Sequence, residues 1–318
     1  MRLALHFMIA AALPGMLALE PCAAQERAPA LRLSAVGVGA SNYAESLQFY
    51  TKVMGLRPAF SFSPTGKTMN TYLQLSRDTF LELQGAPTNA PGLTHIHMQT
   101  DDVDAVVARL RGAGVASCDE ALKTGCLSGS HINELTGDKG AFIIDPSGIR
   151  FEPTQFLARS LTQKAVDSWD NQSPGGKLLV VGIAVKDYPA SQTFYEQKLG
   201  FPVAFKFSSQ DGKRTTTYYQ ISRDSFLEMQ TATPEMPPGI THLHILTEDL
   251  NASIARLRQA GVASAARNTT TPNTVTEVGI AQPSKVRNAS VFDPDGIRLE
   301  LNELLPDSLT KKAMESWK

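Results

Sequence analysis

Two histidines separated by a single residue, His95 and His97, are preceded by Glu82 and followed by Glu152. The same set returns later as Glu228, His242, His244 and Glu300. In an extended strand, residues two apart point the same way. His95, His97 and Gln99 therefore share a face, as do Phe80, Glu82 and Gln84 on a second strand and Arg150, Glu152 and Thr154 on a third. The alternate positions, Leu81 and Leu83, Ile96 and Met98, Ile149 and Phe151, are apolar and belong to a core. A curled sheet with its core on one side then exposes two imidazoles and two carboxylates on the other. That is the donor set of a divalent metal of the Zn, Fe, Mn or Ni kind. The same groups also read as polar lining without a metal, with Arg150 and Arg298 paired to the glutamates beside them.

The elements that must position these groups occur twice. Ser76 to Gln84 returns as Ser222 to Gln230, Gly92 to His97 as Gly239 to His244, and Asp145 to Glu152 as Asp293 to Glu300. The chain is thus two copies of one unit, each with its own candidate site. In the first, Leu33 to Gly39 reads as an apolar strand. Asn42 and Glu45 read as the capping box of a helix with Tyr43, Leu47, Tyr50 and Met54 on one stripe, stopped by Gly55. Strands are expected around residues 58–63, 68–76 and 79–84, and the order then starts afresh. A strand at 94–100 leads to a helix at 103–111, then two strands and the turn Asp145-Pro146-Ser147-Gly148, and a closing strand at 149–154. Leu161, Ala165 and Trp169, matched by Leu309, Ala313 and Trp317, predict a capping helix at each copy's end. Residues 171–176, rich in turn-forming types, form the expected linker. Residues 265–288, rich in Thr and Asn, are the longest irregular candidate.

With 318 residues, 42% hydrophobic and 19% charged, the chain suffices for two globular domains. Thirty basic against thirty-one acidic residues leave no electrostatic footprint for nucleic acid. A small-molecule partner is expected. Arg2, the apolar run from Leu3 to Leu19 and the small-residue site Cys22-Ala23-Ala24 read as an export signal over residues 1–24. The mature protein would be periplasmic or secreted, with no other membrane span. Cys118 and Cys126 could then form a disulfide closing a small loop, or remain free thiols.

The helix Ser46-Leu47-Gln48-Phe49-Tyr50, its twin from Ser191 to Gly200, and the motifs Leu81-Glu82-Leu83, Thr94-His95-Ile96 and Asp145-Pro146-Ser147-Gly148 resemble the vicinal oxygen chelate superfamily. This is the glyoxalase, bleomycin-resistance and extradiol-dioxygenase group. The resemblance covers both copies, and implies an α+β fold of tandem glyoxalase-like domains at 25–170 and 177–318. Each domain would hold two βαβββ modules forming a curled mixed sheet around a cup, the two domains facing each other as an intramolecular pseudo-dimer. The family's metal ligands come from the first and last strands of each module. Carried over, they are Glu82, His95 and Glu152 in the first copy and Glu228, His242 and Glu300 in the second. The fourth ligand belongs on the opening strand, where this chain has Ala35 and Val180, which cannot ligate. His97 or water would have to fill that place, with His244 the counterpart of His97. The resemblance implies a metal-dependent lyase, isomerase or dioxygenase acting on a small oxygen-rich compound, with Glu152 and Glu300 as catalytic carboxylates. The alternative is a non-catalytic binding protein of the bleomycin-resistance type.

Overall fold

A computed structural model describes residues 30–85, 91–118, 123–170, 176–208, 214–267 and 269–318. The expected export signal and residues 171–175 of the expected linker lie outside the described residues.

In the first copy β1 (Arg32–Ala40) leads through α1 (Tyr43–Gln48) to β2 (Arg57–Phe62), β3 (Asn70–Gln74) and β4 (Phe80–Gly85). The pattern repeats with β5 (Gly92–Gln99) and α2 (Val103–Gly112). Short pieces follow: β6 (Ala116–Ser117), β7 (Cys126–Leu127), β8 (His131–Ile132), β9 (Lys139–Gly140) and β10 (Ile143–Ile144). The closing strand β11 (Arg150–Gln155) and α3 (Leu161–Asp167) complete the copy. Two continuous middle strands were expected where β7 to β10 lie. Gly, Ser, Asn and Asp through this stretch carry little strand preference and break them into dipeptides. The sulfurs of Cys118 and Cys126 are bonded.

The second copy runs β12 (Lys177–Val185), α4 (Tyr188–Thr193), β13 (Val203–Ser208), β14 (Thr215–Ser222), β15 (Ser225–Thr231), β16 (Gly239–Leu246) and α5 (Leu250–Gln259). It continues with β17 (Ala263–Ala265), β18 (Thr274–Thr276), β19 (Gly279–Ala281), β20 (Val286–Phe292), β21 (Arg298–Leu304) and α6 (Leu309–Ser316). The stretch expected to be irregular therefore holds two short strands, because Thr274, Val275 and Thr276 are β-branched and pair with neighbours on both sides.

The first sheet is ordered β2-β3-β4-β1-β5-β11-β10-β7-β6, and the second β13-β14-β15-β12-β16-β21-β20-β18-β17. In each, the opening strands of the two modules lie side by side and antiparallel at the centre, with each module's closing strand parallel to its own opening strand. The Glu152-bearing strand thereby lies directly beside the histidine-bearing one, and the Glu82-bearing strand lies one strand away across β1, as Glu300 and Glu228 do in the second sheet. Asn42 caps α1 by accepting from the Glu45 amide, as the sequence predicts. The helix widens into a π turn at Phe49–Val53, and Gly55 takes a left-handed φ of 76° to leave it. Tyr50 and Met54 are buried, while Tyr43 and Leu47 are half-buried against the core.

One apolar core runs through both copies, from Val36, Leu81, Ile96 and Phe151 to Val181, Leu227, Leu243 and Leu299. The copies are tied by matched bonds. Tyr50 donates to Asp293 Oδ2 at 2.8 Å and Tyr195 to Asp145 Oδ2 at 2.8 Å. The Leu33 amide donates to Ser225 Oγ at 3.1 Å and the Leu178 amide to Thr79 Oγ1 at 3.4 Å. The chain is an intramolecular pseudo-dimer. Among the described residues no helix is long and apolar enough to cross a membrane.

Candidate metal centres

On the face of each sheet opposite the shared core lies a cup. Its apolar end in the first copy is made by Ala35, Tyr72, Phe80 and Ala165, the last from α3. Val180, Tyr218, Phe226 and Ala313 take these places in the second. Ala35 and Val180, the two opening-strand positions that could not ligate, are part of this apolar packing. Strand register sets the polar end: Glu82 lies between Tyr72 of β3 and Gly37 of β1, and His97 between Ala35 of β1 and Glu152 of β11.

In the first cup Glu82 Oε2 is 3.1 Å from His95 Nε2 and 3.2 Å from His97 Nε2, and the two imidazole nitrogens are 2.8 Å apart. The other ring nitrogens are occupied. His95 Nδ1 is 2.8 Å from the Thr94 hydroxyl and His97 Nδ1 is 3.2 Å from the Thr154 hydroxyl. With Nδ1 engaged, both Nε2 atoms turn toward Glu82. Glu82 Oε1 accepts from Asn70 at 2.8 Å and Gln84 at 3.2 Å, and Oε2 accepts from Tyr72 at 3.3 Å. All three donor residues are buried. Burial alone would raise the Glu82 carboxyl, but the hydrogen bonds and charges of His95 and His97 outweigh it and hold it well below the usual carboxylate range. Burial opposes charge on His97, yet Glu152 and Glu82 raise it overall.

Glu152 stands just outside this triangle. Its oxygens are 3.7 Å from His95 Nε2 and 3.8 Å from His97 Nδ1, and Arg150 Nε holds Oε1 at 2.7 Å. The second cup repeats the plan with a looser triangle: Glu228 Oε2 is 3.5 Å from His242 Nε2 and 3.3 Å from His244 Nε2. Tyr218 donates to Glu228 at 2.5 Å, and Gln230 bonds the same carboxylate. Glu300 lies 3.8 Å from His244, accepts from Asn288 at 2.8 Å and pairs with Arg298. Burial brings His242 down to about 4 despite Glu228, so this imidazole is neutral near pH 7.

These donors fit a metal ion. Three donors on one face of an octahedron with bonds of about 2.1 Å stand about 3.0 Å apart, the spacing of the first triangle. In the second cup His244 Nε2 and Asn302 Oδ1 are buried without a hydrogen-bond partner. Asn302 Nδ2 is 2.7 Å from His244 Nδ1. Turning the Asn302 amide over lets Oδ1 accept from Nδ1–H and leaves the Nε2 lone pair facing Glu228. A cation between that lone pair and the Glu228 carboxylate would engage both.

The sequence places Glu82, His95 and His97 on facing strands, and the structure brings them together, as it does Glu228, His242 and His244. Glu152 and Glu300 adjoin these sets without joining them. Sequence reasoning missed the supporting shell: Thr94 and Thr241 on Nδ1, Tyr72 and Tyr218 on the carboxylates, and the glycines beneath the rings. The recurrence of Thr-His and of Tyr ten residues before each first glutamate was the available signal.

The family model for the Glyoxalase/Bleomycin resistance protein/Dioxygenase superfamily matches residues 32–152 and again 177–301. No curated protein matches the chain. Among solved structures, the Mn(II)-bound glyoxalase from Novosphingobium aromaticivorans is similar at 17% identity and a TM-score of 0.62, covering 86% of this chain and 83% of that one. Homoprotocatechuate 2,3-dioxygenase from Arthrobacter globiformis is similar at 18% identity and a TM-score of 0.60, covering 88% and 83%. A mutant of 4-hydroxymandelate synthase from Streptomyces coelicolor is similar at 15% identity and a TM-score of 0.64, covering 90% and 97%. With its two halves each matched by the family model over cups built on the same plan, this chain belongs to the glyoxalase, bleomycin-resistance and dioxygenase superfamily.

Proposed function

We propose that this protein is a metal-dependent enzyme in which Glu82, His95 and His97 hold a divalent ion in one cup and Glu228, His242 and His244 hold another. The triangle of Glu82 Oε2, His95 Nε2 and His97 Nε2, at 2.8 to 3.2 Å, carries this reading. Two imidazoles and one carboxylate on one face are the set typical of non-haem Fe(II) oxygenases, and Mn(II) takes the same donors. The Mn(II) and dioxygenase relatives support this choice. Such an ion supplies Lewis acidity toward two neighbouring oxygens of a substrate, and redox chemistry if it is iron.

The chain's own residues do the rest. Thr94 and Thr154 fix the imidazole orientations, Asn70, Gln84 and Tyr72 fix Glu82, and the apolar end formed by Tyr72 and Phe80 excludes water. Glu152, turned by Arg150, accepts a proton from the substrate at Oε2. Glu300 has the matching place in the second cup. The first reading is oxidation of a catechol-like compound. The position of Glu152 beside the triangle favours a second, proton abstraction next to a carbonyl as in a lyase or isomerase.

Metal analysis of freshly purified protein tests the proposal. One ion per cup is expected, with half lost in His95→Ala. A protein that takes up no transition metal is a small-molecule binder instead. Oxygen consumption with catechols, against turnover of hydroxy-carbonyl compounds without oxygen, separates the two reactions. We further propose export through residues 1–24, consistent with the Cys118–Cys126 bond, to be tested by the amino terminus of the mature protein.

A further inference from the structure

The two cups share their metal donors but differ in charge around them. Beside the first triangle lies a cavity of about 50 Å³, and beside the second one of about 260 Å³. The first includes Asp138, a buried carboxylate whose Oδ1 has no hydrogen-bond partner, with Oδ2 accepting from Thr162. At the matching place the second has Val286. The second instead gains Arg267, to which nothing in the described lining of the first corresponds.

Arg267 is built into the wall. It lies across Gly279, where a Cβ would overlap the guanidinium. It donates to the Asn288 carbonyl at 3.2 Å, the Glu277 carbonyl at 3.4 Å and Asn288 Oδ1 at 3.0 Å. Held this way, Asn288 presents its Nδ2 to Glu300, so Arg267 reaches the carboxylate beside the metal donors through one side chain. A guanidinium has five N–H donors. These contacts leave Nε–H and one Nη–H open, and Arg267 has no carboxylate partner among the described residues. Arg298 flanks Glu300 from the other side; burial and the positive charge of Arg267 both pull it below the usual guanidinium value.

With the histidines neutral as metal ligands, Glu82, Glu152 and Asp138 face only Arg150 in the first cup, whereas Glu228 and Glu300 are balanced by Arg267 and Arg298 in the second. A dication therefore leaves the second cup more positive than the first. Resting on the metal-dependent reading above, we propose that the two cups have diverged in ligand charge. The second takes a small oxygenated compound bearing a carboxylate, which Arg267 binds through its open N–H groups, and the first takes an uncharged one.

Calorimetric titration of metal-loaded protein with catechol and with 3,4-dihydroxybenzoate tests this. Catechol should fill both cups with similar affinity, while the carboxylated probe should show a tight class at one cup. Arg267→Gln should weaken that class about tenfold with metal content unchanged, and Arg267→Lys should restore part of it. His242→Ala should abolish the tight class and His95→Ala should spare it. A carboxylate that adds no affinity, a tight class that survives Arg267→Gln, or one that disappears with His95→Ala overturns the proposal. Benzoate against benzamide on metal-free protein reads the same preference independently of the metal. If no metal binds yet benzoate is preferred and the preference is lost in Arg267→Gln, the metal-dependent reading fails and the anion site stands. If neither benzoate nor the carboxylated probe is preferred, the anion site fails, whatever the metal content.

Discussion

Gly37 lies beneath the His95 imidazole: a Cβ built on this glycine would overlap the ring, and Gly182 stands in the same relation to His242. The His95 imidazole thus leans across the opening strand over Gly37, two residues along from Ala35, whose register partner on β5 is His97. On the proposed reading, His97 of β5 and His244 of β16, the register partners of Ala35 and Val180, stand in for the missing ligand. Gly37→Ala should displace His95, empty the first cup of metal and cost about 1–3 kcal/mol of stability. Metal content per chain, with urea unfolding alongside, checks it; retention of both ions would refute the dependence of the first site on the seating of His95 over Gly37.

Orientation of the imidazoles depends on hydroxyls behind them. Thr154→Val removes the partner of His97 Nδ1, and Thr94→Val that of His95 Nδ1, each keeping the side-chain shape. Loss of such a partner weakens metal binding about 10- to 100-fold. Competition with a chelator of known affinity measures this, and unchanged affinity in both variants would mean that the rings are held by packing alone.

Tyr218 and Tyr72 each donate to the buried carboxylate of their cup, at 2.5 Å and 3.3 Å. A hydrogen bond to a charged group contributes about 1.5–3 kcal/mol. Tyr218→Phe should therefore lose stability in this range and Tyr72→Phe less, in the order of the distances. Denaturant midpoints of the two variants give the comparison directly.

Asp293, buried at the junction of the two copies, is raised from 3.8 to about 6, by burial first, against the bonds it accepts from the Ile297 amide and Tyr50. Asp145 is raised in the same direction. A carboxyl raised on folding makes the native state bind more protons than the unfolded chain, so stability falls as pH rises from about 4 to about 6. The effect of Asp293 is at most about 3 kcal/mol and is constant above that window. Asp293→Asn should flatten this part of the profile while keeping an acceptor for the turn amides. Thermal midpoints at several pH values report it, and an unchanged slope would contradict the assignment.

Reduction of Cys118–Cys126, or Cys126→Ser, opens a loop with a sequence separation of 8. Loop-closure entropy puts the loss at about 2–3 kcal/mol. Because the Cys118–Cys126 bond belongs to the first copy, metal content of the second cup should be unaffected in the reduced protein.

Much of this architecture was written in local pattern. Alternation along Phe80–Gln84, Thr94–Gln99 and Arg150–Thr154 separates the core face from the polar face, since strand side chains alternate regardless of what surrounds them. Duplication of those segments establishes the tandem plan, and Asn42 with Glu45 marks a helix start through bonds made within one turn. The histidines and glutamates were therefore legible as candidates.

Their assembly was not. That both His95 and His97 meet Glu82, and that Glu152 stands aside, depends on the register between β1, β4, β5 and β11, which no single strand encodes. Gly37 beneath His95 and Thr154 behind His97 act between strands far apart in sequence. Alternation and short-range capping are properties of the chain itself; convergence of donors on one point is a property of long-range pairing, so only the tertiary structure decided it.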